Sequence, residues 1–376
     1  MKVAVMLSGL AMGGAERNIV NFLPHLRNYG VDVTLFSLNT RRDSPLAQQF
    51  EETGLERVDF DAKRMTDHAA WKRFVRAIGE RKIELVHAQD QDSIIYAGLA
   101  HRRHQIPNIM TRHVMVEPQD TLKETARAQL LLLTARFEFD HVITVSDAVR
   151  HQFSHLAKIP LERITTVYNG LDMEKFRLPM SQRAEVRAQL GWGMDEKIVL
   201  MVAVLRRGKG HEVLFKAIPA ILESIPNARF KLVGDGEIAD QVREWAEPYR
   251  DVVEFLGQRT DVPQLLLASD VLVQASWSEA LPTVLIEAGA SSLPVVATDV
   301  GGSCEIVVDG ETGYLVEAGD VHALGQYLVR VLQDLTVAQA MGQRAYEHVM
   351  RLFSLERQAQ QTATLYERVL FERGEL

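Results

Sequence analysis

Short apolar, β-branched runs alternate with amphipathic helical patterns along this chain, and the whole alternation occurs twice. In the first half the strand candidates are Val3–Leu7, Val31–Leu38, Leu85–Ala88, Ile109–Thr111, Val142–Val145 and Ile164–Val167, with helices such as Ala15–Leu26 and Ala70–Glu80 between them. The second half repeats the scheme with strands Ile198–Leu205, Ala228–Val233, Val252–Leu256, Val271–Gln274, Val295–Ala297 and Tyr314–Val316. Its helices are expected at about 210–223, 239–247, 261–268, 283–291 and 320–333, from apolar spacing. Strand–helix alternation predicts parallel sheets with helices on both faces, so two runs predict an α/β chain of two doubly wound domains. At roughly 100–200 residues per domain, 376 residues agree with that number.

In open α/β sheets, ligands bind outside the carboxyl ends of the strands, so a cleft between two facing sheets is the expected site. The boundary is placed at Asn169-Gly170-Leu171-Asp172 through Pro179, where a strand ends and turn residues cluster. This divides the chain into domains 1–170 and 171–353, followed by a terminal segment 354–376. That segment carries one more helix over Ser354–Phe371, with Ser354 in N-cap position.

Charge narrows the partners. The net charge is −8, which argues against general nucleic-acid binding. Residues 1–172 sum to +1 and hold nine of the 12 histidines, while the remainder sums to −9. The first half is therefore where an anionic partner such as a membrane surface would be sought, although a solvated mixed-charge surface reads the same way. Cys304 is the single cysteine, so an intrachain disulfide is excluded, which fits a reducing compartment. The apolar run after Met1 is only about six residues, short of a secretory core or a bilayer span. The expectation is a cytoplasmic protein, with peripheral contact at the inner face of the cell membrane as a further option.

The most informative stretch is Ser276-Trp277-Ser278-Glu279-Ala280-Leu281-Pro282-Thr283-Val284-Leu285-Ile286-Glu287-Ala288. A strand feeds a short loop, and Pro282 suits the first position of a helix. The N–H groups of Thr283 and Val284 beyond it form an anion site. Glu287, about one turn inside, leans back toward the same helix end. Glu279 precedes that end. Two carboxylates with phosphate-binding amides between them fit a ligand with hydroxyls at both ends and a pyrophosphate in the middle, a nucleotide sugar. A surface glutamate and a loop glutamate would show the same spacing.

A pyrophosphate in an acidic domain needs local cations. Arg206-Arg207-Gly208-Lys209-Gly210-His211 follows a strand and suits a leaving phosphate, or is a solvated basic loop. Gly13-Gly14 opens the first helix, where glycine admits a ligand close to the backbone or makes a plain turn. His113, at the carboxyl edge of a strand, is placed to bond a sugar hydroxyl or move a proton, or is structural. Gly234-Asp235-Gly236-Glu237-Ile238-Ala239 matches the dinucleotide fingerprint, but the nearest acid, Glu254, falls inside the next strand. Asp90-Gln91-Asp92 is an Asp-x-Asp of the metal-binding kind, which three residues match by coincidence, and the two-sheet layout argues against it.

Read together, these pieces resemble the retaining glycosyltransferases of family four, with the GT-B fold of two facing Rossmann-like domains. The resemblance rests on Gly-Gly-Ala-Glu-Arg at 13–17, Thr-Arg-His at 111–113, Val-Ile-Thr-Val-Ser at 142–146 and Val-Tyr-Asn-Gly-Leu-Asp at 167–172. It continues through Lys209-Gly210-His211, Leu-Val-Gly-Asp-Gly-Glu at 232–237, Glu279 and Glu287, Leu-Pro-Val-Val-Ala-Thr-Asp-Val-Gly-Gly at 293–302 and Asp-Gly-Glu-Thr-Gly at 309–313.

The resemblance implies that Glu287 binds ribose hydroxyls, Glu279 contacts the transferred sugar and Lys209 neutralises the leaving diphosphate. It implies donor contacts at the backbone of Leu281 and Thr283, with Val284, Gly234 and Gly14 in the same donor-binding set, and a sugar contact at His113. It also implies no metal or other cofactor, and a final helix that returns to the first domain. Two departures stand out. Val204 occupies the position of a usual arginine, and Arg206, on the same strand face if the strand continues, is the proposed replacement, with Arg207 behind it. Ala280-Leu281-Pro282 replaces a common Gly-Phe-Gly.

The implied reaction moves a hexose-type sugar, with retention, from a UDP-linked donor to a saccharide or lipid-linked acceptor, as in cell-surface polysaccharide or glycolipid synthesis. A nucleotide-sugar epimerase or hydrolase on the same scaffold is the alternative. Thr121–Phe139, with Leu130–Leu133 beside Lys123, Arg127 and Arg136, is either a membrane-docking element or a helix packed on its own domain.

Overall fold

A computed structural model describes residues 1–10, 13–39, 44–63, 67–116 and 121–374. The chain divides into two units: residues 1–170 with 355–376, and residues 171–354. Among the described residues the first unit is built on seven parallel strands: β1 (Lys2–Leu7), β2 (Asp32–Ser37), β3 (Glu56–Asp59), β4 (Leu85–Ala88), β5 (Asn108–Arg112), β6 (His141–Thr144) and β7 (Ile164–Thr166). Their order across the sheet is β3-β2-β1-β4-β5-β6-β7. Strands covered on both faces read as continuous apolar runs, and β1 explains why. Val3, Val5 and Leu7 enter one core, whereas Ala4 and Met6 point into the opposite one with Phe36, Phe60 and Phe74.

The first of these cores is completed by the end of the chain. The helix Leu355–Glu372 inserts Leu355, Ala359, Leu365, Tyr366, Val369 and Leu370 among Val3, Val5, Ile19, Leu35 and Leu85. Each large apolar side chain so buried stabilises by about 1.5–3 kcal/mol. Gln358 fixes the crossing. Its Nε2 donates to Asn18 Oδ1 at 2.9 Å, and its Oε1 accepts from the Gly170 N–H at 2.7 Å. Asn18 Nδ2 in turn donates to the Gly170 carbonyl at 2.7 Å.

The second unit repeats the plan with β8 (Lys197–Val202), β9 (Ala228–Val233), β10 (Val253–Gly257), β11 (Val271–Gln274), β12 (Val295–Thr298) and β13 (Gly313–Val316), in the order β10-β9-β8-β11-β12-β13. In both sheets the order reverses beside the unit's first strand, between β1 and β4 and between β8 and β11. This is the Rossmann arrangement, whose ligands bind at the reversal. At the amino ends of these strands, Arg187 is the largest fully buried side chain among the described residues. Its guanidinium donates to the carbonyls of Ala268, Gly193, Met194 and Glu196 and pairs with Asp270 Oδ2 at 2.7 Å. Arg183 holds the other oxygen of Asp270 at 2.9 Å, and the Ile198 N–H donates to Oδ2 at 2.7 Å.

Several expectations are corrected. β8 ends at Val202 instead of Leu205, because the chain turns so that the Arg206 N–H donates to the Val204 carbonyl at 2.8 Å. The helix expected over Ala15–Leu26 is α-helical only over Gly14–Phe22 and tightens to a 3₁₀ turn over Leu23–Tyr29, where Pro24 withholds a donor. Edge strand β3 and the helices Arg183–Leu190 and Leu335–Leu352 have no counterpart in the sequence reading. The helix Leu122–Glu138 packs on its own unit through Leu131, Leu132 and Ala135, leaving Leu122, Leu130, Leu133 and Phe137 exposed. Among the described residues no helix is long and apolar enough to cross a membrane.

Candidate active site

In the second unit two loops leave the sheet on either side of its reversal point, one after β8 and one after β11. The loop after β11 carries Glu279, whose Oε1 accepts three hydrogen bonds: from Lys209 Nζ at 2.6 Å, from Ser276 Oγ at 2.7 Å and from Gln274 Nε2 at 3.2 Å. With one oxygen taken by three donors, Oε2 is the atom left for a ligand hydroxyl. The ion pair is only 15% and 11% exposed at its two side chains, so its charges are weakly screened.

Glycine makes this approach of the two loops feasible. Gly210 has φ +71°, and a Cβ there would lie 1.8 Å from the Ala275 carbonyl oxygen. Gly301, at φ +53°, is needed in the same way, since a Cβ there would lie 1.6 Å from the Glu279 carbonyl oxygen. The Trp277 N–H donates to the Gly208 carbonyl at 2.8 Å, and its ring Nε1 to Glu212 Oε1 at 2.8 Å. His211, behind Lys209, is buried, and burial lowers its imidazole to about 4. It is a packing residue of the loop.

The helix after Glu279 runs over Thr283–Ala290, so Pro282 is its capping neighbour, not its first residue. Its carbonyl accepts the Leu285 N–H at 3.0 Å. The amides of Thr283 and Val284 are first-turn donors with no partner inside the helix. Leu281 is buried; Thr283, Val284 and Glu287 are half-buried. Glu287 is the fifth helical residue and leans toward the helix start.

The structure thus brings Glu279, Lys209, Leu281, Thr283, Val284 and Glu287 onto two adjoining loops and one helix end. Arg206 is not among the contacts. Because β8 ends at Val202, the strand-face argument for Arg206 fails, and Arg206 and Arg207 stand exposed without an ion pair among the described residues. Gly234, at φ +135°, has a packing role of its own. Its N–H donates to the Gly257 carbonyl, and a Cβ there would meet the Ala203 carbonyl oxygen at 1.9 Å. Gln274 and Ser276, which hold Glu279, were not singled out from sequence; Ser276 lies three residues before it, the only local sign of that contact.

In the first unit, β5 runs one residue further than expected, to Arg112, so His113 follows its end. His113 Nε2 bonds Gln89 Oε1 at 2.9 Å, while its Nδ1 is buried with no partner among the described residues. Burial, with the Arg112 guanidinium beside it, lowers the imidazole to about 4. Gly14 opens the first helix, and a Cβ there meets nothing within 4 Å, so packing does not explain glycine at this position. Asp90 caps the helix Gln91–His104 through the Ser93 N–H, and Asp92 pairs with Arg127, so both side chains of the Asp-x-Asp are engaged.

Comparison with known proteins agrees with this architecture. Residues 182–348 match the family model "Glycosyl transferases group 1", and residues 12–175 match "Glycosyltransferase Family 4". The chain is 32% identical over 234 residues to N-acetyl-alpha-D-glucosaminyl L-malate synthase of Bacillus anthracis, covering 61% of this chain and 60% of the relative. It is 28% identical over 210 residues to an Escherichia coli UDP-Gal:alpha-D-GlcNAc-diphosphoundecaprenol alpha-1,3-galactosyltransferase, 54% of each chain. These curated matches therefore span little more than half of the relatives' own length. Among solved structures, Anabaena HepE in complex with UDP superposes with a TM-score of 0.86 at 22% identity, covering 98% of this chain and 100% of that one. The two family matches together take in most of both units, and the chain belongs to the family-four glycosyltransferases of GT-B fold.

Proposed function

We propose that this glycosyltransferase moves a hexose-type sugar from a UDP-sugar to a saccharide or lipid-linked acceptor, with retention of anomeric configuration. The observation that carries this reading is the saturation of Glu279 Oε1 by Lys209, Ser276 and Gln274 at the reversal point of the second sheet. In this reading Glu279 Oε2 accepts from a sugar hydroxyl and Glu287 from the ribose. The amides of Thr283 and Val284, with the backbone of Leu281 beside them, take the diphosphate. Arriving phosphate charge draws the Lys209 ammonium from Glu279 onto the leaving oxygen, where positive charge lowers the barrier most. Arg206, exposed on the same loop as Lys209, adds a second cation.

In the first unit, Gly14 admits the donor to the backbone, and His113 bonds the transferred sugar. Attack on the face that the leaving group vacates lets a phosphate oxygen take the acceptor's proton. The name of one relative supports the substrate classes, with a UDP-Gal donor and a diphosphoundecaprenol-linked acceptor. Anabaena HepE has also been crystallised with UDP-glucose.

Because side chains and amides carry the neutralisation, the reading needs no divalent metal. A thermal-shift panel of UDP-, GDP- and ADP-sugars is expected to show the largest shift with a UDP-sugar. Transfer from that donor should proceed at an unchanged rate in excess EDTA. A rate that collapses in EDTA and returns with one divalent ion refutes the metal-free neutralisation. Epimer or free sugar formed at enzymatic rates without acceptor would assign the epimerase or hydrolase reading instead.

We also propose that the first unit touches an anionic bilayer. Leu122, Leu130, Leu133 and Phe137 form an exposed stripe on the helix Leu122–Glu138, with Lys123 and Arg127 beside it. Apolar residues flanked by cations suit a headgroup boundary. Flotation with phosphatidylglycerol vesicles should recover the parent protein and lose Leu130→Glu/Leu133→Glu. Equal recovery of both would refute the contact.

A further inference from the structure

His113 is held by a residue that the reaction does not otherwise use. Gln89 follows β4, beside the reversal point of the first sheet, and is 4% exposed. Its own backbone is fixed, since its N–H donates to the Met6 carbonyl at 3.0 Å and to Ser93 Oγ at 3.1 Å. A glutamine amide has one end that only accepts and one that only donates. The accepting end, Oε1, faces His113 Nε2 at 2.9 Å. The donating end, Nε2, lies against the ring of His87, 3.1 Å from its Nε2 and 3.3 Å from its Nδ1.

His87 packs against the donating end of that amide. It is fully buried, and burial lowers it to about 3, so it is neutral. Its Nδ1 is 2.6 Å from the hydroxyl of Tyr366 on the returning helix, and its Nε2 is 2.7 Å from Thr111 Oγ1. Both partners are hydroxyls, so one donates to the neutral ring and the other accepts from it. The Gln89 NH₂ lies nearly equidistant from the two ring nitrogens, which the two hydroxyls already engage. The amide oxygen faces His113 and can only accept, so His113 carries its proton on Nε2. In a neutral imidazole the other nitrogen is then an acceptor.

We propose that Gln89 is a positioning residue that fixes His113 as the Nε2–H tautomer, so that Nδ1 accepts a hydrogen bond from a hydroxyl of the bound sugar. The inference rests on the sugar contact of His113 in the proposed function. It requires His113 to accept from the substrate and not to donate to it.

The test uses the full chain labelled with ¹⁵N-histidine, with the His113 ring nitrogens assigned from a His113→Asn variant and read by long-range ¹H–¹⁵N correlation at neutral pH. The parent is expected to show a protonated Nε2 and an unprotonated Nδ1. Gln89→Leu should give averaged nitrogen signals and a kcat lower by roughly tenfold, the worth of one hydrogen bond. Gln89→Glu, which keeps an acceptor facing Nε2, should keep the parental tautomer. Gln89→Met, of similar length but without a carbonyl acceptor, should also average the signals, which covers the case in which Gln89→Leu does not fold. A parent protonated on Nδ1, or a Gln89→Leu chain with parental signals and parental kcat, overturns the proposal. A His113→Ala chain that transfers at the parental rate, while the tautomer still follows Gln89, overturns the sugar contact and leaves tautomer control standing.

Discussion

Replacement of Lys209 by alanine is expected to lower kcat by about 10²–10³-fold, the usual cost of removing one group that meets charge developing in a transition state. The same loss is expected for Glu279→Ala, for a different reason. Lys209 is paired at 2.6 Å with Glu279, so the carboxylate holds the ammonium in place before any phosphate arrives. Without Glu279 the lysine has a flexible four-carbon stem and nothing to anchor it. Without Lys209, Glu279 still accepts from Ser276 and Gln274, and the stability lost is about 1–3 kcal/mol, within the margin of a folded domain. Turnover with the best donor and a thermal melt of each variant check this. Parental turnover in both variants would remove these residues from the reaction.

The second large effect concerns stability. Arg187→Ala is expected to destabilise the second unit by about 3–5 kcal/mol, the cost of breaking a buried ion pair by deleting one partner. Arg187 is 2% exposed and satisfies carbonyls on both sides of it, at Ala268 and at Gly193, Met194 and Glu196. Deletion strands those oxygens and leaves Asp270 to Arg183 and the Ile198 N–H. Urea unfolding of the variant measures the loss. Because Arg187 lies at the opposite ends of the strands from the Glu279 loop, kcat per folded molecule should stay near the parental value. A loss under about 1 kcal/mol would mean that water replaces the guanidinium, against the usual cost of a buried orphan.

How far the sequence carried the fold depends on how each element buries itself. β1, β8, β11 and β12 are covered on both faces and read as unbroken apolar runs. β3 is an edge strand with Val58 as its one apolar residue between Glu56, Arg57 and Asp59, and it gives no such signal. The helix Leu335–Leu352 buries Ala338, Met341, Gly342, Ala345 and Val349, a small-residue face that hydrophobic spacing underrates. Gly342 is small because the Ser292 carbonyl passes where its Cβ would be, 1.9 Å away. In β8 the error ran the other way. Val204 and Leu205 continue the apolar pattern, but the backbone has already turned.

The candidate site divides along the same physical line. Glu279, Lys209 and the helix start at Thr283 lie in short segments where strand, loop and helix follow one another, so their juxtaposition is local and legible. Gln89 meets His113, and Tyr366 meets His87, through strand order and the returning helix, and no local spacing connects residues 87 and 366. The Arg206 expectation depended on one assumed strand length, and it lost its geometric ground when that length proved three residues too long.

The return of the last helix sets the order in which the polypeptide can finish on the ribosome. Residues 171–354 form a contiguous unit whose sheet is complete once they have emerged. The earlier unit is synthesised first but still lacks Leu365, Tyr366, Val369 and Leu370 from its core. The segment born first must therefore wait, with part of its apolar interior uncovered, until Leu370 has been synthesised.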